Sequence, residues 1–252
     1  MDFTSFDKKM RVYEESLDQI IPPENYIVAR LDGKSFHKFV KRVGYDRPFD
    51  SRFKDRMVNT VKALLLTSGF KINYGYTQSD EISLLFDLSD QMFNHKTRKL
   101  NSILASVATA NFNRNFPPDE FGLFDCRVVP LSNKQLVLDY FLWRQEDANR
   151  NALNSYCYWT LRKEGMSNSR ATNSLLNKNV SYKNELLFSK GINYNDVLSW
   201  QKRGVGCYMK KIVKEGYNPK TKQTVLTTRN SLVTEEELPI KEEYKKFIST
   251  FC

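Results

Sequence analysis

Two aspartates, Asp32 and Asp80, have neighbours that suggest phosphate chemistry. Asp32 directly follows the apolar run 26–31, which is typical of a buried strand, and Asp80 lies in the polar segment 78–81 between two further strand-like runs. Two carboxylates at one edge of a sheet, with the backbone carbonyl of Gly33, can hold Mg²⁺ ions that bridge a nucleoside triphosphate and activate a hydroxyl for in-line displacement. Aspartates are also common in turns, so the spacing alone leaves two structural turn residues as an alternative.

The chain that follows Asp32 fits the same chemistry. Gly33 lacks a Cβ atom, so its backbone can approach a metal ion or a phosphate closely. Residues 34–37 stand at the start of a predicted helix, where unpaired backbone amides bind anions. Asp32 and Asp80 are 48 positions apart, so the hypothesis depends on a fold that brings them together.

The spacing of apolar residues predicts such a fold. The predicted elements are a helix over 3–17, a strand over 26–31, a helix that begins at Asp50 or Ser51 and ends at Gly69, strands over 70–77 and 82–86, a helix over 90–113 and a strand over 127–131. From the first strand onward this is the β-α-β-β-α-β order of a ferredoxin-like split sheet with helices on one face. The first strand of such a sheet lies beside the hairpin strands, which brings Asp32 and Asp80 to one edge.

The remainder of the chain predicts an extension on this core. Residues 132–188 have mostly helical spacing with a stop at Gly165, and the segments 207–213 and 223–228 predict a C-terminal β-hairpin. We therefore predict an α+β fold with a catalytic core over residues 1–131. The extension over residues 132–252 should pack on that core without forming an independent domain.

Composition and charge favour a polyanionic partner. The chain has 252 residues, of which 40% are hydrophobic and 27% charged, and this excludes disordered and collagen-like classes. The formal net charge is +10, and residues 200–229 hold eight Lys or Arg against one Glu. A basic stretch of this kind is typical of a surface that binds nucleic acid.

Cysteine and histidine usage disfavours a zinc site. The four cysteines form no C-x-x-C pair, and the chain has only two histidines, so Mg²⁺ is the metal we expect. No stretch approaches the roughly 20 apolar residues of a membrane span, and no apolar leader begins the chain. We expect free thiols and a cytoplasmic location, with an organelle as an alternative and no membrane partner.

Several motifs together resemble one family. They are ARLDGKSFHKF at 29–39, YGYTQSDE at 74–81, FDCRVV at 124–129, WRQ at 143–145 followed by Asp147, and KNELLF at 183–188. In combination they are similar to the tRNA-histidine guanylyltransferase superfamily over residues 10–230.

The resemblance implies a polymerase-palm-like domain with two Mg²⁺ ions and an unusual reaction on tRNA. In that family a 5′-monophosphate is activated with a nucleoside triphosphate, commonly ATP, and the 3′-hydroxyl of an incoming nucleotide then attacks the activated end. ATP and GTP or other nucleoside triphosphates would be the substrates. The implied assembly is a homotetramer, built as a dimer of dimers.

The resemblance also implies roles for individual residues. The implied metal ligands are Asp32, Gly33 and Asp80, and the catalytic carboxylates are Asp32, Asp80 and Glu81. The implied nucleotide-binding residues are Asp32, Gly33, Lys34, Ser35, Phe36, His37, Arg47, Ser79, Asp80, Lys96 and Lys99. The motifs and the basic stretch predict RNA contacts at Arg127, Lys183, Lys202, Arg203, Lys210, Lys211 and Lys214.

Some of these roles have structural alternatives. Glu81 is either a catalytic carboxylate or a support for its neighbours. Lys96 and Lys99 fit a phosphate clamp or a solvated helix face. His37 fits proton transfer or a loop imidazole satisfied by its neighbours, and Arg127 fits an RNA contact or an ion pair on a strand.

One departure from the family affects substrate choice. Histidine-tRNA enzymes have His-Ile-Asn-Asn after the WRQ segment, whereas this chain has Asn149-Arg150-Asn151-Ala152. An ordinary polar helix face is the alternative explanation. The departure favours the Thg-like repair branch, in which truncated tRNA 5′ ends are rebuilt in the 3′–5′ direction against a template.

Three other functions remain as alternatives. The first is a tRNA-histidine guanylyltransferase that adds the extra 5′ G. The second is a non-catalytic RNA-binding module that uses residues 200–229, and the third is a palm-type nucleotide cyclase. Binding alone does not require Asp32 and Asp80, whose negative charges repel RNA unless metal ions neutralise them.

Overall fold

A computed structural model describes residues 2–117, 120–218 and 223–252, which form one antiparallel sheet with helices on both faces. The strands are β1 (Tyr26–Lys34), β2 (Ile72–Gln78), β3 (Glu81–Phe86), β4 (Leu123–Leu131), β5 (Val205–Asn218) and β6 (Gln223–Glu235). The helices are α1 (Phe3–Glu15), α2 (Phe36–Val43), α3 (Ser51–Thr67), α4 (Thr97–Phe112), α5 (Lys134–Lys163), α6 (Asn168–Leu175), α7 (Val180–Phe188), α8 (Ser199–Arg203) and α9 (Lys241–Ser249), with 3₁₀ turns at Met92–His95 and Tyr194–Asp196.

The sheet has the predicted topology. Its order is β4-β1-β3-β2-β5-β6, and every neighbouring pair is antiparallel. Helices α2 and α3 connect β1 to β2, and α4 connects β3 to β4. The first four strands therefore follow the β-α-β-β-α-β order. Strand β1 lies next to β3, so Asp32 lies beside the β2–β3 hairpin, as predicted.

Two apolar layers hold the sheet, one on each face. On one face Leu31 and Leu84 pack with Val61 of α3 and Leu104 of α4. Strand alternation turns residues such as Val28 to the opposite face, which also needs an apolar cover. Helices α5 and α9 supply that cover. The core helices α2, α3 and α4 thus lie on one face, as predicted, and the extension covers the second face.

Strand β1 is longer than the strand over 26–31 that the sequence predicts. It continues through Lys34, because β4 pairs with it as far as Lys34 opposite Leu123. Asp32 and Gly33 therefore lie inside a strand rather than after its end. The fixed register of β1 now determines which residues they face.

The C-terminal hairpin is confirmed and extends beyond the sheet. Strand β5 pairs with β2 only over residues 205–208, whereas it pairs with β6 from Gly206 to Asn218. Residues beyond Tyr208 form a two-stranded ribbon. Residues 219–222, which include Lys220 and Lys222 of the basic stretch, lie outside the described residues.

Helix α1 lies within the predicted range 3–17 and is mostly exposed. Asp2 caps the helix by accepting from the Ser5 amide at 3.0 Å, but none of the helix residues is buried. The apolar residues whose spacing predicts this helix form a stripe that faces solvent, with Phe3 at 80% exposure and Phe6 at 51%. Nowhere in the described ranges is there a helix with the length and apolar character needed to cross a membrane.

Candidate active site

The register of β1 with β3 brings the predicted carboxylates together. Asp32 lies directly opposite Glu81, so both side chains point to the same face of the sheet. The Gly33 amide donates to the Asp80 carbonyl oxygen at 3.1 Å, which fixes the β2–β3 turn against β1. Asp32, Asp80 and Glu81 thus share one edge of the sheet despite their separation along the chain.

Asp80 is a carboxylate in an unfavourable electrostatic position. Burial raises the pKa of Asp80 to about 6, and the charges of Asp32 and Glu81 act in the same direction. The Ser79 hydroxyl, which lies 3.0 Å from Asp80 Oδ1, opposes this shift only in part. Within the described part of the chain, no Lys or Arg forms an ion pair with Asp80. A cation bound here would stabilise the ionised carboxylate.

Glu81 differs from Asp80 because both of its oxygens are already engaged. Arg30 donates to Glu81 Oε1 at 2.5 Å, and Arg144 of α5 donates to Oε2. Arg144 is only 5% exposed and also contacts Asp147 at 3.3 Å. Glu81 therefore anchors two guanidinium groups, and Arg30 in turn lies 3.4 Å from Asp32.

The remaining donors suit Mg²⁺. Mg²⁺ prefers oxygen ligands and commonly takes only one or two carboxylates from the protein, with substrate phosphates and waters as the rest. Asp32, Asp80 and the Gly33 carbonyl are the oxygen donors that would contribute to such a set. Across residues 2–117, 120–218 and 223–252, no group of three or more His, Cys, Asp or Glu side chains is arranged to hold a metal ion.

Gly33 is required sterically by the core. A Cβ atom at this position would lie 2.4 Å from Cδ2 of Phe36. The Phe36 ring is 2% exposed and packs 5.1 Å from the ring of Phe112 and 5.0 Å from that of Phe124. Phe36 can therefore offer a nucleotide only its backbone amide. The sequence suggested a close approach to phosphate at Gly33 but not this contact.

The segment after Gly33 turns sharply into α2. Ser35 has a φ of 58°, a left-handed conformation that is uncommon outside glycine, and its carbonyl accepts from the Lys38 amide at 3.0 Å. Lys34 and His37 are exposed beside it. Strained conformations of this kind are concentrated at ligand-binding sites.

Arg47 is close to this segment and to the carboxylates. It donates to the His37 carbonyl oxygen at 3.1 Å, and its guanidinium lies 5.3 Å from the centre of the Trp159 ring. Burial lowers the pKa of Arg47, while the Asp80 charge acts in the opposite direction. Arg47, Ser79 and Asp80 line one cavity. The structure thus brings these three predicted nucleotide-binding residues together.

Lys96 and Lys99 are not brought to this edge within one chain. Strand β3 leads away from the site, and Lys96 precedes α4 at the opposite edge, where its ammonium is 2.7 Å from Asp18. The C-terminal half of α4 is the part near the site, since Thr109 accepts from the amide of Phe124. A role for the two lysines at this site stays a prediction.

Two of the residues predicted to contact RNA already donate hydrogen bonds within the chain. Lys202 is buried, donates to the carbonyls of Asn195 and Tyr194 at 2.8 and 3.3 Å, and has its pKa lowered by burial. Arg203 donates to the Ser199 hydroxyl at 3.1 Å and to the Leu238 carbonyl at 3.4 Å. These cations stabilise turns, so the structure does not present them as RNA contacts.

The other candidates for RNA contact remain available. Lys210 and Lys211 are exposed on β5, and strand alternation turns them to opposite faces of the ribbon. The side chain of Lys214 lies outside the described residues. Arg127 is exposed on β4 and 3.9 Å from Asp125, and Lys183 is half-buried on α7.

The segment that departs from the family lies on α5. Asn149 accepts from the Tyr194 hydroxyl at 3.1 Å, and Ala152 is buried. Arg150 and Asn151 both contact Asp147, at 2.5 and 3.3 Å. Part of this segment therefore stabilises the helix, and Asp147 links it to Arg144 and Glu81.

Comparison with known proteins matches both halves of the chain to one family. Residues 7–132 match the family model described as tRNAHis guanylyltransferase, and residues 135–249 match the model described as Thg1 C terminal domain. A protein of Debaryomyces hansenii named tRNA(His) guanylyltransferase is 36% identical over 198 residues, which cover 74% of each chain.

Solved structures give the same result. A bacterial tRNA(His) guanylyltransferase (Thg1)-like protein in complex with ATP has a TM-score of 0.77 and 27% identity, and the match covers 98% of each chain. A second structure of the same description, in complex with GTP, has a TM-score of 0.71 at 27% identity, again with 98% of each chain covered.

Proposed function

This chain belongs to the tRNA(His) guanylyltransferase family and is a nucleotidyltransferase, and from that premise we propose that it adds a guanylate to the 5′ end of tRNA(His). The observation that carries the proposal is the pairing of Asp32 with the β2–β3 turn that holds Asp80. A non-catalytic RNA-binding protein has no need for a half-buried carboxylate without an ion-pair partner.

The site residues have distinct roles in this proposal. Asp32, Asp80 and the Gly33 carbonyl would hold two Mg²⁺ ions, which when bound neutralise phosphate charge and activate a hydroxyl for attack. Arg47 and Ser79 would contact the triphosphate, together with the amides of the 34–37 segment. Glu81 would position Arg30 beside Asp32, since both Glu81 oxygens accept from guanidinium groups.

Nucleotide choice follows from the same family. ATP would activate the 5′-phosphate of the tRNA, and GTP would supply the added nucleotide. The related bacterial structures in complex with ATP and with GTP support a site that admits both purines.

Repair of truncated tRNAs is a second candidate. The specific observation in its favour is Asn149-Arg150-Asn151-Ala152, which replaces the segment associated with the histidine anticodon. The names of the relatives fit guanylyl transfer to tRNA(His) better than they fit repair, although the sequence favoured repair. The palm-like core is common to both candidates.

We propose a homotetramer as the working assembly. The support is α1, whose apolar stripe has no cover among the residues that the structure describes. A solvent-exposed stripe of this length is unfavourable in a monomer, and a second copy offers an identical apolar surface. We also propose a cytoplasmic location, which fits four cysteines that are all free.

One experiment separates the candidates. The protein is incubated with Mg²⁺, ATP and all four nucleotides, and with tRNA(His) lacking its extra G or with other tRNAs lacking their first nucleotide. The 5′ ends are then sequenced. Addition of G to tRNA(His) alone supports guanylyl transfer, whereas addition of the template complement to several tRNAs supports repair. Asp32→Ala serves as the inactive control. If the unmodified protein adds no nucleotide to any of these tRNAs, both candidate functions are contradicted.

A further inference from the structure

The solvent side of helix α2 is a compact positive surface. Phe36, Phe39 and Val40 turn the other side of the helix into the core, where they are buried. The exposed residues of the helix all have basic side chains: His37, Lys38, Lys41 and Arg42. No Asp or Glu occurs in residues 33–45. We call the surface formed by Lys38, Lys41 and Arg42 the α2 basic face.

The three cations of the α2 basic face are not neutralised within the chain. In the part of the chain that the structure describes, none of them forms an ion pair or donates a side-chain hydrogen bond. The Arg42 guanidinium lies 5.8 Å from the centre of the Phe39 ring, a contact that leaves its charge unpaired. Nearby cations differ, since Arg52 pairs with Asp50 at 2.5 Å. The α2 basic face is therefore free to bind an anion.

Helix stability explains only part of this charge. Lys41 and Arg42 lie in the last turn of α2, where the helix dipole favours cations. Lys38 lies in the first turn, where a positive charge is unfavourable. It is also three and four positions from Lys41 and Arg42, a spacing at which like charges repel each other. A local rule broken in this way is expected at a functional surface.

The positive surface continues from α2 across two aromatic rings. The Phe39 ring lies 5.4 Å from the Phe116 ring, and the Arg56 guanidinium lies 3.7 Å from the centre of the Phe116 ring. Arg56 and the exposed Arg114 line a groove of about 540 Å³ between α3 and the end of α4. Asp55 also lines this groove, but it forms an ion pair with the preceding lysine at 3.0 Å. The unpaired charge of the groove is therefore positive.

The structure favours RNA over a lipid surface as the partner. A basic helix that binds a membrane inserts its apolar side, whereas the apolar side of α2 is packed in the core. The α2 basic face lies close to the active site, since only Lys34 and Ser35 separate Gly33 from α2. At 1.5 Å per residue the helix is about 12 Å long, which matches on the order of three phosphates of one nucleic-acid strand.

We propose that the α2 basic face binds the sugar–phosphate backbone of the tRNA next to its 5′ end. The inference rests on the proposed function, and it gives that function an RNA-binding surface in the catalytic half of the chain, separate from residues 200–229. Contacts to phosphates carry no sequence information, so this surface acts alike on every tRNA.

The test removes the three charges together. Lys38→Gln combined with Lys41→Gln and Arg42→Gln should lower the slope of log tRNA affinity against log salt by about two units, because each lost phosphate contact removes about 0.7–0.9 unit. The tRNA affinity at about 0.1 M salt should fall at least tenfold. Circular dichroism reports the fold of the variant. Lys38→Gln alone should lower the slope by somewhat under one unit, which decides the case if the triple variant does not fold.

The matched control removes the same charges from another part of the chain. It combines Lys163→Gln, Arg170→Gln and Lys178→Gln, which replace two exposed lysines and one exposed arginine. Both triple variants lower the net charge by three, so an effect of long-range attraction alone appears in both. An equal loss of tRNA affinity in the two variants overturns the proposal, and so does an unchanged salt slope in the α2 variant.

Two further measurements keep the outcomes separate. Vesicles that contain phosphatidylserine test the lipid alternative: an α2 variant that keeps its tRNA affinity but loses vesicle binding overturns the proposal. Binding of tRNA is measured without nucleoside triphosphates, so it does not depend on catalysis. If the unmodified protein adds no nucleotide but the α2 variant alone loses tRNA affinity, the proposed function is contradicted and the RNA-binding surface is supported.

Discussion

Burial makes the ionised form of Asp80 costly in the folded chain. Its pKa of about 6 in the folded chain lies above the usual value of 3.8, so the folded state favours the protonated form. The sign follows from linkage: the contribution of Asp80 to the free energy of unfolding is fully present below pH 4 and is lost as the pH rises through 6. Near neutral pH the ionised carboxylate therefore opposes folding until a cation binds.

Asp80→Asn should separate this electrostatic cost from catalysis. Without metal at pH 7.5 the variant should be more stable than the unmodified protein, by on the order of 1–2 kcal/mol after solvent screening. The difference should shrink at pH 4.5, and Mg²⁺ should raise the melting temperature of the unmodified protein only. Nucleotide addition should fall at least a hundredfold. Thermal unfolding with chelator or Mg²⁺ checks the prediction. A stability difference between the variant and the unmodified protein that is the same at pH 7.5 and pH 4.5 would contradict it.

Glu81 should matter less for the chemical step than Asp80. Since both Glu81 oxygens accept from guanidinium groups, Glu81→Gln removes charge balance at Arg30 and Arg144 without removing a metal ligand. We expect a loss of about tenfold in kcat and an unchanged Mg²⁺ requirement. Titration of activity against Mg²⁺ for Glu81→Gln and Asp32→Asn measures the contrast. A strongly raised Mg²⁺ requirement in Glu81→Gln would instead make Glu81 a ligand.

At the scale of elements, local signals in the sequence predicted the strand order and several helix ends. Asp50 or Ser51 was expected at the start of α3, and Asp50 caps the helix by accepting from the Arg52 amide at 2.8 Å. The pairing of Glu81 with Arg144 was not predicted, because it depends on how α5 packs against the sheet. The burial of Lys202 was missed for the same reason: charge in the sequence does not show which ammonium groups meet backbone carbonyls.

The β5–β6 ribbon carries the lysines that remain candidates for RNA contact. Lys210 and Lys211 are exposed on opposite faces, so a tRNA lying on one face of the ribbon meets only one of them. Replacing that lysine by Ala should reduce the slope of log affinity against log salt by somewhat under one unit. Binding of tRNA at several salt concentrations tests each single variant.

The control for the ribbon is Lys163→Ala, an exposed lysine at the end of α5. It removes the same charge at a site for which we propose no RNA contact. Unchanged slopes in both ribbon variants would mean that the ribbon is a solvated surface.

At the scale of the whole molecule, the unburied helix α1 has consequences for assembly. The helix has six charged residues of both signs between Asp7 and Glu15, and its apolar residues recur on one side. A helix with no buried residue gains little from its own chain, and isolated helices of 13 residues are marginal in water. We therefore expect α1 to be ordered by contact with another copy.

Phe6→Ser combined with Tyr13→Ser should reduce the mass of the assembly in solution. Both side chains are exposed in the single chain, at 51% and 67%, so their removal should leave the fold of each subunit intact. Sedimentation equilibrium or light scattering gives the mass, and circular dichroism reports the fold. We expect a tetramer for the unmodified protein and a dimer or monomer for the variant.

The opposite side of the same helix provides the matched control. By helical spacing, Lys8 and Glu15 lie away from the apolar stripe, so Lys8→Ser with Glu15→Ser should leave the mass unchanged. A single-chain mass for the unmodified protein would contradict the proposed tetramer. Full-size assembly in the Phe6 and Tyr13 variant would instead show that copies associate through another surface. If the variant is smaller and also fails to add nucleotides, then the site edge at Asp32 and Asp80 is incomplete in one copy, and Lys96 and Lys99 become candidates for the groups that a neighbouring copy supplies.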